Sequence, residues 1–138
     1  MKEKKTILIV DDDSDFVDCI RMLLEGAGFE VDSASSAKEC MLALQSKTPD
    51  LILLDIMMET LVSGLHVGYD LRTNPKFKHI PIVMLSAITE ETGFDVAAEK
   101  DSEYVAADEF LNKPVKPAEL LATVNRLLEE RPARGGGD

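Results

Sequence analysis

The sequence predicts an α/β protein: a doubly wound parallel sheet of five strands with helices on both faces, a three-layer α/β/α sandwich. Two observations carry this. Short apolar runs alternate five times with segments of helical periodicity. The inner runs are continuously apolar, as in parallel strands covered on both faces, and right-handed crossovers then distribute the helices to either side.

Each element has its own justification. Thr6 to Val10 is the first strand. Ser14 to Ala27 carries Phe16, Val17, Ile20, Leu23, Leu24 and Ala27 at helical spacing, with Ser14 as expected N-cap and Gly28 as stop. Phe29 to Ala34 is a weaker second strand, and Ser36 to Lys47 a helix with Ala37, Cys40, Met41 and Leu44 on one face. Thr48-Pro49-Asp50 breaks the chain before the apolar third strand, Leu51 to Leu54. Leu65 to Arg72 reads as helix, Pro81 to Leu85 as the fourth strand, and Thr89 to Tyr104 as mostly helical despite Gly93. Asp108 to Leu111 is a short fifth strand, and Pro117 suits the first turn of a last helix running to Glu130. One domain over residues 1–130 is expected, with 131–138 a disordered tail that has no room for an output module.

The 138 residues suffice for a real core, and the net charge of -11 opposes direct contact with nucleic acid or an anionic membrane. No run has the length of a signal-peptide core or a membrane span, so the chain reads as cytoplasmic. Cys19 and Cys40 lack CxxC spacing and are expected to be buried free thiols.

In an open parallel sheet, ligands sit outside the carboxyl ends of the strands. Asp11, Asp12 and Asp13 follow strand one, Asp55 strand three, Ser86 strand four and Lys113 strand five. Crowded carboxylates disfavour each other's ionised forms, and a hard divalent cation relieves that repulsion. Mg²⁺ takes one or two carboxylates, keeps waters and accepts phosphate oxygens. With an ammonium group beside it, such a site suits phosphoryl transfer to a carboxylate. Asp55, alone at the end of a central strand, is the best nucleophile, and Ser86 is placed to hydrogen-bond a phosphoryl oxygen.

VDD (10–12), LDIMM (54–58), LSA (85–87) and FLNKPVKP (110–117) resemble the receiver domain of two-component response regulators, a CheY-like family. The resemblance covers residues 5 to about 130, and the four motifs stand in order on the expected strands. It implies a flavodoxin-like fold with strand order 2-1-3-4-5. It further implies Asp55 as phosphoacceptor, Mg²⁺ (with Mn²⁺ as a substitute) on Asp11, Asp12, Asp55 and the Met57 backbone carbonyl, and Ser86 and Lys113 on the phosphoryl group. Ser86 and Phe110 become switch residues, and Lys113-Pro114 is expected to be cis. The implied partners are a histidine kinase or histidine phosphotransfer protein and a downstream protein; a phosphorylation-dependent dimer is compatible with it. The chain would not be an enzyme beyond phosphorylating and dephosphorylating itself. Asp13 and Asp15 read as cap and surface residues.

Two departures stand out. Glu59 replaces a usual proline and Thr60 to Ser63 lengthen the path to Gly64, while the segment from Ser86 to Lys113 is longer than usual. The altered loop is the ground for an alternative, a degenerate receiver that acts as a phosphorylation-independent scaffold. A haloacid-dehalogenase-type phosphatase is more remote, because Asp15 stands where its motif needs Thr or Val and no acidic pair follows Lys113 on a strand end. A calcium loop from Asp11 fails at Phe16 and Met22. The output surface is expected on the fourth crossover, the fifth strand and the last helix, with Glu90, Glu91, Asp95, Glu99, Asp101, Glu103 and Asp108 offering an acidic face to a basic partner.

Overall fold

The computed structural model describes residues 4–55, 63–86 and 108–134, with side chains at 4–55, 67, 69–85 and 108–129. The elements run β1 (Thr6–Val10), α1 (Ser14–Gly26), β2 (Glu30–Ala34), α2 (Ala37–Ser46), β3 (Leu51–Asp55), α3 (Ser63–Thr73), β4 (Ile82–Ser86), β5 (Glu109–Asn112) and α4 (Pro117–Arg134). The five strands form one sheet in the order β2-β1-β3-β4-β5, parallel at every pairing. After β1 the chain moves outward to β2, then returns to lay β3 against the other side of β1. The ends of β1 and β3 therefore flank the point where the winding reverses, the place where such sheets leave a crevice.

Side chains alternate across a strand, so continuously apolar strands must feed two cores. Leu8, Val10, Ile52 and Leu54 pack with Cys40 and Leu44 of α2 and Leu71 of α3. Ile7, Ile9, Leu51 and Leu53 pack on the opposite face with Val17, Ile20 and Leu24 of α1 and Leu120, Val124 and Leu127 of α4. Truncating one of these fully buried leucines would cost about 2–5 kcal/mol. β2, at an edge, is only partly covered: Val31 and Ala34 are buried, one in each core, and Glu30, Asp32 and Ser33 are exposed. Charged edge positions discourage pairing with another chain.

Several boundaries differ from expectation for identifiable reasons. Asp13, not Ser14, caps α1: its Oδ1 accepts the Phe16 N–H at 3.2 Å. Gly28 has φ +97°, and the neighbouring Phe29 N–H donates to the Leu24 carbonyl at 3.0 Å, ending α1 and delaying β2 to Glu30. Pro81 offers only its carbonyl, which accepts from Ile52 at 3.0 Å, so β4 starts at Ile82. The last helix continues to Arg134, four residues beyond the expected boundary at Glu130. The helix expected over Thr89 to Tyr104 lies outside the described residues. No described helix is long and apolar enough to cross a membrane.

Asp108 sits just before β5 and is not a free acidic group. Its Oδ2 accepts from Arg72 Nη2 at 2.7 Å and from the Ile82 N–H at 2.9 Å, while Arg72 Nη1 donates to the Lys78 carbonyl. This ties the end of α3 to the starts of β4 and β5. Asp108 therefore leaves the acidic output face expected from sequence; the other acids of that face lie outside the described residues.

Both cysteines are free, but only Cys40 is buried. Cys19 is exposed because it lies off the Val17–Ile20–Leu24 stripe that faces the sheet. Burial pushes the Cys40 thiol up to about 12. At pH about 8.5, where an ordinary cysteine is half ionised, iodoacetamide should alkylate one thiol of the native protein, Cys19, and both after unfolding. The native state holds the Cys40 proton while the unfolded chain releases it, so this group's contribution to stability is complete below pH about 8.5 and declines above it. Peptide mapping that finds Cys40 modified as fast as Cys19 would contradict the prediction.

Candidate functional site

Four of the strand-end residues expected to carry chemistry can be placed from their side chains. Asp11 leaves β1 with its backbone N–H on the Ala34 carbonyl at 3.0 Å, and its side chain is fully buried. Asp55 is the last residue of β3, with only 5% of its side chain exposed. Asp12 is exposed. One carboxylate oxygen from each of Asp11, Asp12 and Asp55 lies within 4.8 Å of the others. Lys113 arrives from the loop after β5; its Nζ donates to Asp11 Oδ2 at 2.7 Å and stands 3.7 Å from Asp55 Oδ2. The Lys113-Pro114 peptide is cis, as expected.

The same geometry separates Asp13 from its neighbours. Its carboxylate is committed to the Phe16 N–H, and its own N–H donates to Asp11 Oδ1 at 2.9 Å. Helix capping thus takes one acid out of the run of three and orients a second. Among the described residues, one ammonium, that of Lys113, faces the three clustered carboxylates, which leaves an excess of negative charge. A divalent cation balances that remainder, and an all-oxygen donor set is the kind hard cations select. The residues present therefore fit such an ion. A cavity of about 190 Å³ opens beside Asp11 and Asp12, walled by α1, the end of β2 and the start of α2.

Not every expected residue can be placed. Ser86 ends β4 opposite Asn112 of β5, on the same edge of the sheet, but its side chain lies outside the described residues. Met57 and the altered loop through Val62 also lie outside them. Phe110 is half-buried and packs against the core on the α2–α3 face. Sequence reasoning missed the contact of Lys113 with Phe16, whose ring centroid is 4.4 Å from Nζ. The available signal was an aromatic in the first turn of a helix that starts at the acidic cluster; its periodicity marked it only as core.

This arrangement gathers three carboxylates and a lysine at the carboxyl edge of a doubly wound sheet, and comparison with known proteins supplies the family. The family model for the response regulator receiver domain matches residues 7–125, and the chain belongs to that family. Among relatives, it is 36% identical over 134 residues to the phosphate regulon transcriptional regulatory protein PhoB of Pseudomonas aeruginosa, covering 97% of this chain and 55% of that protein. It is 35% identical over 133 residues to the DNA-binding response regulator MtrA of Mycolicibacterium smegmatis, covering 94% and 54%. The chain thus spans about half the length of these relatives. In structure it is similar to the chemotaxis response regulator CheY4 of Vibrio cholerae, with TM-score 0.77, 27% identity and coverage of 91% and 99%. A CheY-like receiver domain protein from Methanospirillum hungatei gives 0.80, 25%, 95% and 98%.

Proposed function

We propose that this chain is a phosphorylation-switched receiver that accepts one phosphoryl group on Asp55, with Mg²⁺ or Mn²⁺ held by Asp11, Asp12 and Asp55. The observation that carries the reading is the convergence of these three carboxylates within 4.8 Å, with the Lys113 ammonium beside them. The donor is a phosphohistidine on a histidine kinase or phosphotransfer protein, or a small acyl phosphate. An Asp55 oxygen attacks phosphorus in line while the bond from phosphorus to the donor's nitrogen or oxygen breaks, and the leaving group departs with that electron pair. The cation, when bound, offsets charge on the phosphoryl oxygens. Lys113 moves from its place on Asp11 to a phosphoryl oxygen and adds a second positive charge.

The phosphoryl group adds charge and three acceptor oxygens at the sheet edge. Ser86, at the end of β4, donates to one of them, and its movement changes the space beside Phe110 on β5. The signal leaves through that region to a downstream protein. The chain is then a substrate in its own modification and not an enzyme acting on others.

Incubating the protein with acetyl phosphate and Mg²⁺ should add a single phosphoryl group by intact mass, with none added when EDTA replaces the metal. A phosphate ester such as p-nitrophenyl phosphate should not be turned over. Continuous ester hydrolysis would favour a phosphatase, and no mass gain under any metal would favour a phosphorylation-independent scaffold.

A further inference from the structure

We propose that Phe16 is a positioning residue for Lys113, its ring face seating the ammonium group within reach of both Asp11 and Asp55; the inference rests on the phosphoacceptor reading of Asp55. The Nζ of Lys113 lies 4.4 Å from the Phe16 ring centroid, 2.7 Å from Asp11 Oδ2 and 3.7 Å from Asp55 Oδ2. The two side chains come from opposite ends of the chain, the first turn of α1 and the loop after β5.

A lysine ammonium is a compact charge on a flexible stem, and one carboxylate contact leaves it free to swing. The negative face of an aromatic ring attracts a cation and has no hydrogen-bond acceptor that would trap it. It also shields one side of the ammonium from water. The amine can therefore shift from Asp11 towards a group on Asp55 without leaving the ring. Phe16 is itself held firmly: its N–H is bonded to Asp13 at 3.2 Å and its side chain packs against the core under α1. The Asp13 cap, which takes no part in the carboxylate cluster, thus fixes the residue that supports Lys113.

The opposing account is that Phe16 is a half-buried core aromatic over which Lys113 happens to lie. Phe16→Leu and Phe16→Tyr in the 138-residue chain separate the two: both fill the core, and only Tyr keeps a ring. We expect Phe16→Leu to slow labelling of Asp55 by acetyl phosphate about fivefold, and Phe16→Tyr to stay within about twofold of wild type. Nitrogen-15 spectra of the lysine ammonium groups give a readout independent of labelling. The Lys113 signal should exchange slowly with water in wild type and Phe16→Tyr, and faster in Phe16→Leu. Unchanged exchange in Phe16→Leu overturns the proposal, whether or not labelling slows, because the effect would not then pass through Lys113. If the wild type takes no phosphoryl group but ammonium exchange still depends on the ring, the phosphoacceptor reading fails and the seat for Lys113 stands.

Discussion

Asp55→Asn should take up no phosphoryl group from acetyl phosphate, a loss of more than about a thousandfold in labelling rate. The substitution keeps the size of a side chain that is almost fully enclosed at the end of β3. It replaces an anionic oxygen by a neutral amide, which is a far weaker nucleophile, and it removes one of three oxygen ligands from the cation cluster. The fold should survive. Asp55 lies within 4.8 Å of both Asp11 and Asp12 and 3.7 Å from Lys113, so a neutral amide there removes repulsion from two carboxylates against the loss of one attraction. Without metal the variant should therefore melt no lower than wild type. Intact mass after equal exposure is the measurement, and equal labelling of both proteins would rule out Asp55 as acceptor.

Asp12→Ala should lose most of the stabilisation that Mg²⁺ gives the wild type, whereas Asp13→Ala should keep it. A ligand present at a hundred times its dissociation constant stabilises the native state by about 2.7 kcal/mol. Asp12 is exposed and contributes one oxygen to the cluster, so its truncation costs the fold little and the ion much. Asp13 has the reverse profile. Its carboxylate caps α1 through the Phe16 N–H, so Asp13→Ala should lower the metal-free baseline by about 1 kcal/mol. Thermal melts with and without saturating Mg²⁺ would show one variant with a normal baseline and a flat response, and the other with a lowered baseline and a full response. Matching Mg²⁺ responses in wild type and Asp12→Ala would exclude Asp12 as a ligand.

The layer structure and the edge where chemistry gathers are legible in the order of residues alone. Uninterrupted apolar runs such as LILL (51–54) can be buried only between two helical layers; Asp11 and Asp55 each stand one step past such a run, and Lys113 two steps past the shorter Phe110-Leu111. The alternation of strand and helix then carries those residues to one end of the sheet whatever the loops do. Tertiary structure decided which group each side chain would hold. Asp13 already reads as a cap residue along the chain, but the partner it caps is set only by the start of α1, which brings the Phe16 N–H within reach of Asp13 and leaves Asp11 and Asp12 for the cluster. Lys113 rests on Asp11 and over Phe16, a partnership between the two ends of the chain that helical or strand spacing does not encode. Asp108 likewise reads as one acid among several until Arg72 and the Ile82 N–H are brought beside it. Periodicity fixes the face on which a residue lies; the choice among donors and acceptors is a competition over distances of a few ångströms, and it is resolved only when separate elements pack together.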